Sequence, residues 1–300
     1  MNRQIILITI NRFMIKILLI GAKGQLGQSI QYWASHFPHF KFSFKDLPEF
    51  NFLDQNQLDQ FFNSTSVNIV INCAAYTAVD NAEDEPQRAR KLNFQAIDSL
   101  CELSKIFGFK LINYSTDYVF DGTVNSPYSE EHPLSPTGVY GNSKAEGEKV
   151  IQTSGIDGWI IRTSWVFSPY GKNFVKTIFS LLQNKEEISV VADQTGSPTY
   201  ALDLAASTLI ALDQNPIFNG VKIYHYTNSG QTTWYGLATA IQKQINTHCK
   251  IYPVYTAAYP TKAQRPKYSV LSCEKTINEF NLNPNSWELA LKDCLINLKN

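Results

Sequence analysis

Hydrophobic positions in the first half of the chain fall into short unbroken runs, with helix-period stretches between them. Residues 15–20 (IKILLI), 68–73 (NIVINC), 110–115 (KLINYS) and 159–163 (WIIRT) are such runs, and 41–44 is a weaker one. A continuous apolar run of this length suits a strand covered on both faces, as in a parallel sheet. Helices are expected over 28–37, 56–63 and 85–107, and through Glu146 to about Thr153. Repeated strand–helix alternation predicts an α/β protein with a Rossmann-like, doubly wound parallel sheet. Right-handed crossovers then place helices on both faces.

The pattern changes after about residue 165. Helices are expected over 173–183, 203–212 and 233–244, the last opening on threonines suited to an N-cap. Residues 188–199 read as extended and turn-rich, and 224–227 as a short strand. Pro253, Pro260, Pro266 and Pro284 punctuate an irregular tail. These features predict an NAD(P)-binding domain over 14–165. A smaller, mainly substrate-binding lobe follows over 166–300, some of whose segments return to the first domain. Residues 1–13 precede a second methionine, Met14, which is the expected natural start because the first strand begins just after it. Their apolar stretch is short for a signal peptide and no small-residue cleavage site follows.

Composition narrows the function classes. The 300 residues carry 26 Lys+Arg against 26 Asp+Glu, with no basic stripe, so a nucleic-acid surface is not expected. No run of about twenty apolar residues exists, so no membrane span is expected and a cytoplasmic location is the default. Cys73, Cys101, Cys249, Cys273 and Cys294 include no C-x-x-C pair. They read as reduced thiols rather than a disulfide framework or a metal site.

Three motifs carry candidate chemistry. The first is Gly21-Ala-Lys-Gly24-Gln-Leu-Gly27, between a strand and a helix. Glycines there permit a tight turn and close approach to a pyrophosphate, which the helix N-terminus receives. The spacing is G-x-x-G-x-x-G, and a structural turn can share it. Asp46, nineteen residues past Gly27, stands where an acid would bind the adenosine ribose, although a solvated loop acid would look the same. Such an acid repels a 2′-phosphate, which leans towards NADH or dual use.

The second motif is Tyr140-Gly-Asn-Ser-Lys144. On a helix these two side chains share a face. An ammonium beside a phenol favours the phenolate, and the tyrosine can then donate a proton to a carbonyl oxygen. Such pairs also occur on ordinary exposed helices; the glycine turn upstream favours the chemical reading. The third motif, residues 113–120 (NYSTDYVF), follows a strand and so lies at the carboxyl edge of the sheet, where open α/β folds bind ligands. Thr116 or Ser115 can there hold a substrate keto oxygen. The small residues of 72–76 (NCAAY) suit either cofactor approach or helix packing.

Together these motifs resemble the extended short-chain dehydrogenase/reductase superfamily. Further strings resemble one of its families, the dTDP-4-dehydrorhamnose reductases. They are AAYTAVD (74–80), YSTDYVF (114–120), VYGNSK (139–144), RTSWVF (162–167), NFVKT (173–177), DQTGSPT (193–199) and RP (265–266). The resemblance runs from about Lys16 to about Leu295. It implies reduction of the C4 keto group of dTDP-4-dehydro-L-rhamnose by NADPH or NADH, for surface polysaccharide. It also implies a catalytic trio of Thr116, Tyr140 and Lys144. The pyrophosphate loop would hold Gly24, Gln25 and Leu26, the adenosine side Asp46, Asn51 and Phe52, and the strand end lining the cofactor Ala74, Ala75 and Tyr76. Asp117 and Trp165 would contact the sugar nucleotide, although a tryptophan of the core would look the same as Trp165. Arg265 would bind its diphosphate, or else sit in an exposed loop. Asn51 replaces a usual aspartate, which weakens the adenosine-side assignment, and Leu47 replaces a frequent arginine, which weakens the case for NADPH preference. Some members form a Mg2+-linked dimer through glutamates; Ser29 and Asn297 at those places argue against one, so a monomer or an unlinked homodimer is expected. Rival readings are another nucleotide-sugar reductase, an epimerase, or a non-catalytic regulatory subunit. The last predicts a damaged Y-x-x-x-K or S-T-D, and both are intact.

Overall fold

The structure is a computed structural model that describes residues 13–215 and 218–299. The expectation for residues 1–13 therefore lies, but for Phe13, outside the described residues. Six parallel strands form the central sheet: β1 (Ile15–Ile20), β2 (Phe40–Lys45), β3 (Ile69–Asn72), β4 (Lys110–Thr116), β5 (Gly158–Thr163) and β6 (Val221–His225). Their order is β2-β1-β3-β4-β5-β6. The parallel pairing and the alternating helices are the doubly wound arrangement the sequence predicts.

The apolar runs are continuous because each strand feeds two cores. Ile17 and Leu19 of β1 join one cluster, while Leu18 and Ile20 join the other. Successive side chains of a strand point to opposite faces, so both faces need apolar residues. Helices α1 (Gln25–Ala34), α8 (Ala201–Gln214) and α10 (Glu274–Phe280) cover the first face. Helices α2 (Gln55–Ser64), α5 (Ala96–Phe107) and α6 (Val139–Thr153) cover the second.

Three predicted elements need correction. Helix α1 begins at Gln25, not residue 28, because Gly24 already serves as its N-cap. The expected helix over 85–107 is broken. A separate helix α3 (Val79–Asp84) precedes it; the stretch itself opens as α4 (Pro86–Arg90), passes through a π-helical turn at Lys91–Gln95, and ends as α5. The short strand expected at 224–227 is β6, which spans Val221–His225 and pairs with β5, so the second half of the chain completes the sheet.

A third apolar cluster lies among α7 (Phe174–Asn184), α9 (Trp234–Ile245) and α11 (Trp287–Lys299). Beside it, Glu187–Val191 and Lys250–Val254 pair as a two-stranded parallel ribbon. Thr233 caps α9, its hydroxyl accepting from the Gly236 N–H at 3.0 Å. All five cysteines are free thiols. Among the described residues no helix is long and apolar enough to cross a membrane.

Candidate active site

The carboxyl ends of β1, β3, β4 and β5 open into one cleft of about 940 Å3, whose far wall comes from α7 and α9. In an open α/β sheet this is the edge where ligands bind. The glycine turn forms one end. Gly21 has φ +80°, and a Cβ there would stand 2.5 Å from the Ala74 backbone nitrogen. A Cβ on Gly27 would stand 2.1 Å from the Gly21 carbonyl oxygen. Gly27 therefore does not line the cleft; it lets α1 pack against the turn. No side chain caps α1 at Gly24. The free N–H groups of the first helical turn thus meet the cleft at the positive end of the helix. This cradle fits a dinucleotide diphosphate.

Gln25 and Leu26 line the same end. The Gln25 side-chain oxygen accepts from Ser168 Oγ and Asn173 Nδ2, both at 2.9 Å, which ties the turn to the start of α7. Asp46 lies at the end of β2 beside Leu47, Phe50 and Phe52, all lining the cleft. Its carboxylate accepts from the Lys23 N–H at 2.6 Å and the Leu47 N–H at 2.7 Å. Asn51 does not reach the cleft; its side chain accepts from the Leu53 N–H and closes a local turn. Ala74 and Ala75 line the cleft, as expected from the small strand end. Tyr76 does not: its hydroxyl donates to Glu85 at 2.7 Å.

Tyr140 and Lys144 stand on the buried face of α6, at the middle of the cleft. The N-terminus of α6 is held by Glu83 of α3, whose carboxylate accepts from the Val139 N–H at 2.9 Å. Asn93, in the π-helical turn, donates to Ser143 Oγ at 3.0 Å. A Cβ at Gly147 would stand 2.2 Å from the Asn93 carbonyl oxygen, so α6 and this turn meet backbone to backbone. Neither Glu83 nor Asn93 was legible as a site residue, although the glycines of α6 signal a close approach.

Lys144 Nζ donates to the Tyr114 carbonyl oxygen at 2.6 Å. Burial lowers its pKa to about 8, against the raising influence of Glu148. Tyr140 is pushed up to about 12 by burial, with a smaller lowering from its hydrogen bond with Thr116 and a raising by Asp117. The expected lowering of the tyrosine pKa by Lys144 is not seen: loss of water from the phenolate is the largest influence, and the Lys144 ammonium is engaged by a carbonyl.

Thr116 ends β4, and its hydroxyl donates to Asp117 Oδ1 at 3.0 Å. Asp117 is 2% exposed. Burial raises its carboxyl to about 6, offset in part by Ser269 and Thr116. Ser269 lies close enough to influence the carboxyl, but among the described residues the buried Oδ2 has no partner of hydrogen-bond geometry. A buried acceptor left open at a cleft wall is a place for a ligand hydroxyl.

Trp165 follows β5 with φ +48°, a left-handed conformation that costs a bulky residue free energy. It is held by a stack on Trp234 of α9, with ring centroids 3.5 Å apart and planes at 6°. A Cβ at Gly196 would stand 2.5 Å from the Trp165 ring. Trp234 Nε1 donates to Gln194 at 3.1 Å. Both tryptophans line the cleft. Trp234 carries no motif that points to the site; only the tertiary stack reveals it. Arg265 is not among the residues lining the cleft. Its guanidinium is bidentate on Asp80 of α3, at 3.0 and 2.6 Å.

A Y-x-x-x-K pair at the carboxyl edge of such a sheet, facing a glycine turn, defines the extended short-chain dehydrogenase/reductase class. The family model described as the RmlD substrate binding domain matches residues 15–300. A dTDP-4-dehydrorhamnose reductase from Aggregatibacter actinomycetemcomitans is 36% identical over 288 residues, covering 93% of this chain and 98% of that protein. The spore coat polysaccharide biosynthesis protein SpsK of Bacillus subtilis is 39% identical, covering 94% and 97%. The crystal structure of a dTDP-4-dehydrorhamnose reductase from Bacillus anthracis in complex with NADP has a TM-score of 0.88 at 35% identity, covering 95% and 99%. The chain belongs to the dTDP-4-dehydrorhamnose reductase family.

Proposed function

We propose that this protein reduces the C4 keto group of dTDP-4-dehydro-L-rhamnose with NADPH or NADH, giving dTDP-L-rhamnose. The observation that carries the reading is the convergence of Thr116, Tyr140 and Lys144 in one cleft with the glycine cradle. A nicotinamide dinucleotide held along Gly24, Gln25, Leu26, Ala74 and Ala75 would supply hydride to the carbonyl carbon. The chain's residues do the rest. Thr116 orients the carbonyl oxygen beside Tyr140. Tyr140 donates its proton as negative charge develops on that oxygen. A tyrosine that holds its proton up to about pH 12 is in the right state to give it. Lys144, as an ammonium, stabilises the phenolate left behind.

Gly24, Gln25 and Leu26 would hold the cofactor diphosphate, and Asp46 with Phe52 its adenosine side. Ala74 and Ala75 would pass the cofactor backbone. Asp117 would bind a sugar hydroxyl through its open Oδ2, and Trp165 would wall the sugar nucleotide. Arg265 pairs with Asp80, so it would bind the diphosphate only by sharing or leaving that ion pair. The name of the Bacillus subtilis relative supports a product destined for polysaccharide.

The test follows absorbance at the reduced-nicotinamide band while the 4-keto sugar nucleotide is added, with NADH and NADPH in turn. Stoichiometric oxidation and a dTDP-L-rhamnose product are expected. Turnover without net cofactor oxidation would mean epimerisation instead. No reaction with either cofactor would refute the proposal.

A further inference from the structure

Glu148 lies one helical turn beyond Lys144 and two beyond Tyr140, so all three share the buried face of α6. Nothing in the chemistry above uses it. It is fully buried, and so is its partner Arg162 of β5. Arg162 Nε donates to Glu148 Oε1 at 3.0 Å and Nη2 donates to Oε2 at 2.7 Å. Arg162 Nη1 also donates to the Glu130 carbonyl oxygen at 3.1 Å. The next residues along the chain, Thr163, Ser164 and Trp165, line the cleft.

Stability alone does not call for such a pair. Two charges taken out of water cost several kcal/mol each, and apolar residues of similar volume often serve as well or better. What apolar residues cannot supply is a negative charge one turn below Lys144. Among the described residues, the hydrogen-bond partner of Lys144 Nζ is a neutral carbonyl oxygen.

We propose that Glu148, locked by Arg162, is a positioning residue for Lys144. Its carboxylate keeps the ammonium charged in the dry floor of the cleft, and its ion pair fixes the turn of α6 against β5. The proposal rests on the reading of Lys144 as the partner of Tyr140. The groups around it are few. Tyr140 and Glu148 flank Lys144 on α6, Tyr114 faces it from β4, and Asp117 acts on Tyr140 from the end of β4. Around the Arg162–Glu148 pair stand Glu130 and, from β6, His225, with Lys275 of α10 acting on both. Of these charges, Glu148 is the one whose field reaches Lys144.

The experiment titrates Lys144 directly, by NMR of protein labelled at the lysine side chains. Lys144→Met assigns the resonance. Wild type is compared with Glu148→Gln and with the double variant Glu148→Gln/Arg162→Met. The double variant removes both members of the ion pair, so neither Glu148 nor Arg162 is left buried without the other, and it keeps a folded sample if the single one does not. A fall of about one pH unit in the Lys144 midpoint, roughly ten-fold in its proton affinity, is expected in both. A purely structural ion pair would change the unfolding midpoint and leave the Lys144 titration in place. An unchanged titration in folded double variant overturns the proposal. Because the readout needs no turnover, it stands apart from failure of the reductase assay.

Discussion

Gly27 lies so close to Gly21 that a Cβ on the first would stand 2.1 Å from the carbonyl oxygen of the second. The contact is backbone to backbone, and neither atom can swing away as a side-chain end would. Gly27→Ala should cost about 1–3 kcal/mol in chemical unfolding and weaken NAD(P)H binding together with it. Gly155→Ala is the comparison. Its φ of +78° makes it strained, but a Cβ there meets nothing within 4 Å. It should lose about 1 kcal/mol while fluorescence titration with NADH stays unchanged.

Asp46 presents a carboxylate at the adenosine end, fixed by the Lys23 and Leu47 N–H groups. A 2′-phosphate would meet like charge there. Asp46→Ser should lower the ratio of the NADPH Kd to the NADH Kd by about ten-fold or more. An unaltered ratio in direct binding would place the adenosine ribose elsewhere.

Tyr140→Phe removes the proton donor and keeps the ring. kcat should fall by about 10^2–10^4 while the cofactor Kd holds. Near-normal turnover would remove Tyr140 from the chemistry.

Lys144 sets an alkaline limit. Its pKa is lowered from 10.5 to about 8, so kcat/KM should fall as pH rises through about 8. The stability sign is opposite. Between about pH 8 and 10.5 the folded chain has lost this proton and the unfolded chain retains it. Stability contributed at this site therefore rises with pH across that window. Unfolding of wild type against Lys144→Met at pH 7.5 and above should show the difference moving in favour of wild type.

Asp117 is raised from 3.8 to about 6, so its buried charge penalises the fold above about pH 6. Below 3.8 both states are protonated and the penalty is gone. Asp117→Asn should therefore be more stable than wild type near neutrality, by about 1–3 kcal/mol, with the gap closing as pH falls from 6 to 4. The same variant should raise KM if Oδ2 receives a sugar hydroxyl.

The layer architecture was legible because its cause is local. Two-sided burial demands unbroken apolar runs, and the glycine turn and the Tyr140–Lys144 spacing follow from backbone geometry that a string of residues can carry. The π-helical turn within the long helical stretch was not legible, and it is there that α6 brings the backbone at Gly147 against Asn93 from 54 residues away.

What the sequence by itself determined, then, is the sheet, the cradle at Gly21–Gly27 and the pair on α6, since each depends on neighbours in the chain. Tertiary structure alone decided the rest. It stacked Trp234 on Trp165, turned Arg265 onto Asp80, and made burial the largest influence on the tyrosine's proton affinity. These outcomes depend on which surfaces meet and how much water they exclude, and no spacing along a chain encodes either directly.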